Sequence, residues 1–280
     1  MVRIPVAAGS FYSADKTELE SKIKELFGEI KLKKAKKSRI VISPHAGYAY
    51  SGLLTAESIN CLEKSNLFII LGTNHTYSGT AEFLFSLEDF QTPFGVVKNE
   101  TKISQEISKN AEDYGLNIEI NESTHSLEHS IEVQLPFLQC LFKKIKIIPI
   151  IVNTKNTKSL EKFTGILIKL IKKHNISIIA SSDFTHFGKN YGFTPFSSNI
   201  KENLYKLDKS AISEILKMNV KGFLEKSSKT TICGSAPIAL GIEVAKKLGC
   251  KKAELIDYKT SGDVSGDYSN AVGYASIIFN

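Results

Sequence analysis

Three short apolar runs in this 280-residue chain each end in a polar tip that carries a histidine. Ile40 to Ser43 leads into Pro44 and His45, Leu67 to Gly72 into Asn74 and His75, and Ile176 to Ala180 into Asp183 and His186. Such runs of Ile, Val, Phe and Ala, bounded by Gly, Ser or Pro, read as buried strands. In an open, mostly parallel sheet, ligands bind just beyond the carboxyl ends of the strands. Three strand ends delivering imidazoles to one edge therefore predict a single site, assembled from distant segments, of the kind an enzyme or metal protein uses.

Helical periodicity surrounds these strands. Thr17 to Ile30 places Leu19, Ile23, Leu26 and Phe27 on one face. Further helices are predicted over Leu53–Glu63, Lys102–Tyr114, Ser126–Phe142 and Leu160–Lys173, within 201–226, and from the CGSAP turn to Leu248. Additional strands are predicted over 82–87, Lys146–Asn153, Ala253–Lys259 and Val272–Phe279, with QTPFG as a turn. Strands alternating with helices form βαβ units, so the expected fold is α/β: a central, mostly parallel or mixed sheet with helices on both faces. No internal repeat or long linker is visible, and residues 1–280 are read as one domain.

Composition narrows the function. A hydrophobic content of 42% suits a globular core. No apolar run reaches the roughly 20 residues that span a bilayer. The start, MVRIPVAAGSFYSADK, lacks a signal-peptide layout, so a cytoplasmic protein with no membrane partner is expected. The net charge of +7 comes from 36 basic and 29 acidic residues, but arginine occurs only at Arg3 and Arg39. Reading bases or phosphates bidentately favours arginine, so a nucleic-acid partner is not expected. The basic run from Lys31 to Arg39 reads as a solvated linker between the first helix and first strand. Cys61, Cys140, Cys233 and Cys250 lack CxxC spacing, which fits a reduced compartment and no disulfide framework. Cys61 and Cys140 lie among apolar helical residues and read as small core side chains.

Taken singly, the polar tips have ordinary structural readings. His45, in PHAGYAYSG, can cap a helix; Asn74 can hold the turn before His75; Asp183 can cap a helix or turn; Cys233 can be a small residue at a loop–helix junction. Taken together they share an edge. Tyr48 and Tyr50 offer hydroxyls to a substrate beside His45. Asp183, close to His186, can orient that imidazole for acid/base work. Cys233 opens a helix whose N-terminal dipole suits a thiolate as nucleophile, redox centre or soft metal ligand. Two imidazoles and a thiolate leave positions open on zinc, copper or ferrous iron, and ligand type alone does not rank these metals.

A second arrangement competes. His125 and His129 bracket Glu128 in the H-x-x-E-H pattern of inverted zinc peptidases. Apolar core positions follow at once and no third-ligand helix is evident, so Glu128 and His129 are expected to line the first site instead. The Gly/Ser-rich tail YKTSGDVSGDYSN supplies Asp263 and Asp267; it reads first as a turn and secondly as a flap bringing Ser261 or Asp263 to the site.

The segments VRIPVAAGSFYSAD, SPHAGYAYSG, LGTNH, EHSIEVQLPFLQ, SSDFTHFG, CGSAPI, YKTSGD and VGYASI occur in order along nearly the whole chain. Together they resemble the Memo-like proteins, also called AmmeMemoRadiSam system protein B. That family is similar in fold to class III extradiol dioxygenases, which implies one α/β domain with a pocket at a sheet edge. The resemblance implies metal ligation by His45, His75 and Cys233, with Asp183 and His186 beside them as acid/base residues. Cys233 replaces the dioxygenases' carboxylate ligand, which points away from ring opening and towards iron or copper redox chemistry rather than zinc, in a non-haem oxidoreductase. The alternative is a non-catalytic module that binds a peptide or small anion in the same pocket. Animal members of the family are linked to cell motility and phosphotyrosine peptides. Microbial members travel with a radical-SAM protein, which implies a shared pathway acting on an unknown small molecule or peptide.

Overall fold

Each strand of the sheet's centre divides its side chains between two cores, and that division explains the uninterrupted apolar runs. A computed structural model describes residues 1–30 and 36–280, so much of the basic linker lies outside the described residues. The chain begins with β1 (Val2–Arg3), α1 (Lys16–Gly28), β2 (Ile40–Ser43), α2 (Tyr48–Asn60), β3 (Leu67–Gly72) and β4 (Phe83–Phe85). A hairpin of β5 (Asp89–Thr92) and β6 (Gly95–Asn99) leads to α3 (Thr101–Asp113), β7 (Ile118–Ile120) and α4 (Glu122–Leu127). Then come α5 (Leu135–Leu141), β8 (Lys146–Val152), α6 (Thr157–Lys173), β9 (Ile176–Ser181) and β10 (His186–Gly188). The chain continues through α7 (Ile200–Leu216), α8 (Val220–Ser227), α9 (Ser235–Lys247), β11 (Ala253–Thr260), α10 (Ser261–Ser265) and β12 (Asn270–Phe279).

The strands form one mixed sheet in the order β1-β5-β6-β8-β3-β9-β2-β12-β10, with β11 on β12 and the β4–β7 pair on the outer half of β8. At its centre β8, β3, β9 and β2 are parallel, and β12 closes antiparallel on β2. Ile40, Ile42, Ile69, Leu71, Ile178 and Ala180 face a core completed by α3, α6, α7 and α9. Val41, Phe68, Ile70 and Ile179 face the opposite core, against α1, α2 and α5. Covering both faces selects apolar residues at nearly every position of these central strands, whose carboxyl ends reach the polar edge. No helix among the described residues is long and apolar enough to cross a membrane.

Several expectations need correction. The helix expected over Ser126–Phe142 is broken: α4 stops at Leu127, Glu128 is extended, and α5 restarts at Leu135. Pro136 sits in the first turn of α5, where its missing N–H leaves no intrahelical bond unmade. His125 and His129 therefore do not share a helix face, and the peptidase pattern fails. His125 is buried, its Nε2 3.0 Å from the Leu84 carbonyl oxygen. The helix expected from Leu53 begins at Tyr48, so Tyr48 and Tyr50 lie in its first turn. Strands β5, β6 and β7 were not expected, although the predicted turn at 91–95 joins the first two. Cys140 is exposed rather than in the core.

The break after α4 is held by a buried ion pair. Arg3 Nη1 lies 2.7 Å from Glu132 Oε2, both side chains almost fully inaccessible. Arg3 also donates to the carbonyls of His125 and Glu128 at 2.6 and 2.7 Å. Glu132 accepts from the backbone N–H groups of Val6 and Ala7 and from the Tyr12 hydroxyl. The Glu132 carboxylate thereby accepts four hydrogen bonds and each guanidinium nitrogen of Arg3 donates at least one, as buried charges require. Glu132→Gln should leave the Arg3 charge without its counter-ion and cost about 3–5 kcal/mol, measured by urea denaturation. A loss below 1 kcal/mol (about the worth of an exposed pair) would show that the pair does not anchor this segment.

Candidate functional site

The parallel centre of the sheet delivers the ends of β2, β3 and β9 to one edge, and two glycines let other segments approach closely. A Cβ on Gly72 would stand 2.7 Å from Ile131 Cγ1 and 2.9 Å from Ser130 Oγ. The 128–131 loop can therefore lie directly over the end of β3, where Ser130 Oγ accepts from Thr73 N–H at 3.0 Å. A Cβ on Gly234 would stand 2.6 Å from the Ser181 carbonyl oxygen. Its absence brings the start of α9, and with it Cys233, against the end of β9.

His45, His75 and Cys233 come together there, each offering a ligand atom within 4.8 Å of the others. The hydrogen bonds around the two imidazoles fix which nitrogen faces inward. Ser181 Oγ gives its single proton to the Ser130 carbonyl at 2.7 Å and accepts from Gln134 Nε2 at 3.1 Å. Towards His45 Nδ1, 2.9 Å away, it can only accept, so Nδ1 carries the proton. The Nε2 lone pair then points at Cys233 Sγ, 3.2 Å away. His75 follows the same logic. Its Nδ1 donates to Glu128 Oε1 at 2.9 Å, leaving Nε2 unprotonated once the ring is neutral.

Glu128, expected to line the pocket, instead lies behind His75 and outside the cavity wall. It is buried beneath the site and also accepts from the backbone N–H of His75 at 2.7 Å and of Ser130 at 2.8 Å. Burial alone would raise the Glu128 pKa and lower that of His75. Hydrogen bonding reverses both, with Cys233 and Glu128 together raising His75 and His75 lowering Glu128. His129 stacks on His75 with ring centroids 4.6 Å apart and receives the edge of Phe11 at 4.8 Å. Burial pushes His129 down to about 4. His75, Glu128 and His129 also lie close enough for a metal, but the Glu128 oxygens are already engaged by three N–H groups. His45 is held well below the ordinary imidazole range by burial and by the imidazoles of His75, His129 and His186.

The cluster opens on a cavity of about 500 Å³. Asp183 and His186 both line it, though no hydrogen bond joins them among the described residues. Asp183 instead accepts from the His45 backbone N–H at 2.8 Å, and burial pushes its carboxyl up to about 7. His186 Nδ1 lies 3.2 Å from the Thr231 carbonyl, to which it donates, leaving Nε2 as the basic nitrogen. Burial lowers the His186 pKa and so disfavours the protonated ring. Tyr50, His129 and Ser261 line the cavity as well.

Two expected pocket residues are elsewhere. Tyr48 turns into the core, stacks on Tyr12 and donates to the Val133 carbonyl at 2.7 Å, so its hydroxyl does not reach a substrate. Asp263 points away from the cavity, accepting from Tyr205 Oη at 2.6 Å and from Lys201 at 2.9 Å while capping α10. Ser181, Gln134, Tyr191 and Tyr274 were not singled out from sequence. Ser181 lies beside the SSDFTH tip, but nothing local distinguishes it from Ser182.

One supporting carboxylate lies behind the site. Asp208 of α7 is buried, accepting from the backbone and hydroxyl of Thr185, next to His186, and from Tyr258 Oη at 2.7 Å.

The family model described as Memo-like protein matches residues 3–278. The chain is 37% identical over 289 residues to a MEMO1 family protein of Nitrosopumilus maritimus (strain SCM1), covering 100% of both. It is 35% identical over 285 residues to a MEMO1 family protein of Aquifex aeolicus (strain VF5), covering 99% of each. A MEMO1 family protein of Sulfolobus acidocaldarius is 37% identical over 298 residues, covering 100% of this chain and 99% of its own length.

Asp208 gives the site region a pH dependence. Burial raises its carboxyl from 3.8 to about 6 despite its donors. Because the folded pKa lies above the unfolded one, the protonated carboxyl's contribution to stability is complete below 3.8 and is lost as pH rises through about 6. Thermal melts of Asp208→Asn should lack that part of the decline shown by the unaltered protein across this window. Identical pH slopes in the two proteins would rule Asp208 out as its source.

Proposed function

The chain belongs to the Memo-like family, and from that premise and the site geometry we propose a metal-dependent redox protein whose iron or copper ion is held by His45, His75 and Cys233. The observation that carries this reading is the pair of imidazoles whose Nδ1 protons are committed to Ser181 and Glu128, leaving both Nε2 atoms to converge with Cys233 Sγ. Fixing the tautomer through the far nitrogen is how proteins orient histidine ligands. An ion with bonds of about 2.0–2.3 Å holds its ligands roughly 3.3–3.8 Å apart. His45 Nε2 and Cys233 Sγ already stand 3.2 Å apart, and all three ligand atoms lie within 4.8 Å of one another. Two imidazoles and a sulfur suit copper or iron, and three protein ligands leave positions for a substrate.

A bound iron or copper ion supplies one-electron chemistry at the floor of the cavity. The protein's own groups do the rest. Glu128 and Ser181 hold the imidazoles in register. Asp183 fixes the backbone of His45. His186 accepts a proton at Nε2 from a substrate in the cavity and returns it. The cavity lining contains no lysine or arginine, so it lacks the bidentate fork that best holds a small anion.

Elemental analysis of freshly purified protein tests the reading. His45→Ala and Cys233→Ser should each sharply lower bound iron or copper, with folding checked by circular dichroism. Wild-type occupancy in both variants would sink the assigned ligand set.

A further inference from the structure

The cavity wall is unlike the rest of the surface, and the difference specifies what enters it. The chain as a whole is basic, at +7, yet neither lysine nor arginine lines this cavity, whose basic groups are imidazoles at its floor. The rings of Phe11, Tyr50, Tyr191 and Tyr274 do line it, together with the carboxylate of Asp267. Asp267 accepts from the backbone N–H of Ser269 at 2.8 Å and from its hydroxyl at 3.0 Å. These bonds hold its carboxyl below the usual range, so it is ionised at neutral pH. Aromatic faces carry negative electrostatic potential, and several around one cavity, with a carboxylate, form the setting that attracts alkylammonium ions.

We propose that the substrate is an organic amine, primary or N-methylated, that binds as its ammonium ion among Phe11, Tyr50, Tyr191 and Tyr274 with its charge towards Asp267. This rests on the reading of the cavity as the reaction site. The ammonium group is compensated at the mouth by Asp267, and the carbon chain it carries extends towards His186 and the ligand cluster. An anionic substrate of the same size meets the Asp267 carboxylate at the cavity wall. A cavity of about 500 Å³ is within the usual size for a small organic ligand.

Calorimetric titration of the metal-loaded protein with phenethylamine, tetramethylammonium and hydrocinnamate tests the assignment, the last being a carboxylate of matched size. The two cations should bind and hydrocinnamate should not. Asp267→Asn should weaken phenethylamine by about two- to five-fold, as loss of one exposed charge partner implies. Tyr191→Leu, a second variant at the cavity mouth, should weaken both cations. Hydrocinnamate binding as tightly as phenethylamine, an Asp267→Asn variant with unchanged affinity for it, or no binding by either cation would each overturn the proposal. Metal content measured on the same samples keeps the two readings apart. Ammonium binding in protein whose metal does not depend on His45 or Cys233 would defeat the redox reading and leave this one standing; metal binding without ammonium preference would do the reverse.

Discussion

The buried pair of Arg3 and Glu132 determines how the chain runs between α4 and α5, and that run determines the site. Left to local propensity, the apolar spacing from Ser126 to Phe142 would continue as one helix. The guanidinium instead takes the carbonyls of His125 and Glu128, groups freed by the break, while the carboxylate gathers the N-terminal backbone. Glu128 is thereby placed under His75 and Ser130 over the end of β3. The ion pair touches no ligand, but the residue that fixes His75 hangs from it.

The site is polar in a molecule whose centre is apolar on both sheet faces, and its polar atoms form a closed set. Gln134 spans Ser43, Pro44 and Ser181, and Ser181 in turn links His45 to Ser130. Networks of this kind are stiff because each member's donors and acceptors are already used. A stiff frame suits a ligand cluster, since an imidazole aimed a few tenths of an ångström wrong loses its bond. It also explains why Glu128, its oxygens already taken by N–H groups, orients His75.

Much of this was legible in the sequence. The α/β fold follows from apolar runs that a doubly covered sheet alone permits, and the placement of His45, His75 and His186 at strand ends follows from the polar residues that terminate those runs. The break after Leu127 was masked by helical spacing on both sides; Pro136 was the available signal, and it marks the restart but not the stop. Tyr48 and Tyr50 look equivalent in the sequence. Once α2 begins at Tyr48, the helix turns one into the core and the other towards the cavity. Ser181 and Gln134 act only through tertiary contacts, so no local pattern marks them. Asp263 is a carboxylate in a Gly/Ser-rich segment, as Asp267 is, and only the packing of α10 against α7 separates their roles.

The ligand cluster joins residues separated by 188 positions, His45 and Cys233, and the cavity wall is completed by Tyr274 on β12. During synthesis the two histidine tips emerge long before the cysteine, and the strand that closes beside β2 emerges last. The nascent chain thus carries both imidazoles before the thiol or the enclosing wall has been made. Contacts this distant in sequence form slowly, because the intervening loops must close first. A metal held by His45, His75 and Cys233, as proposed, would therefore be captured late, and the assembled cluster reports that nearly the entire chain has reached its final arrangement.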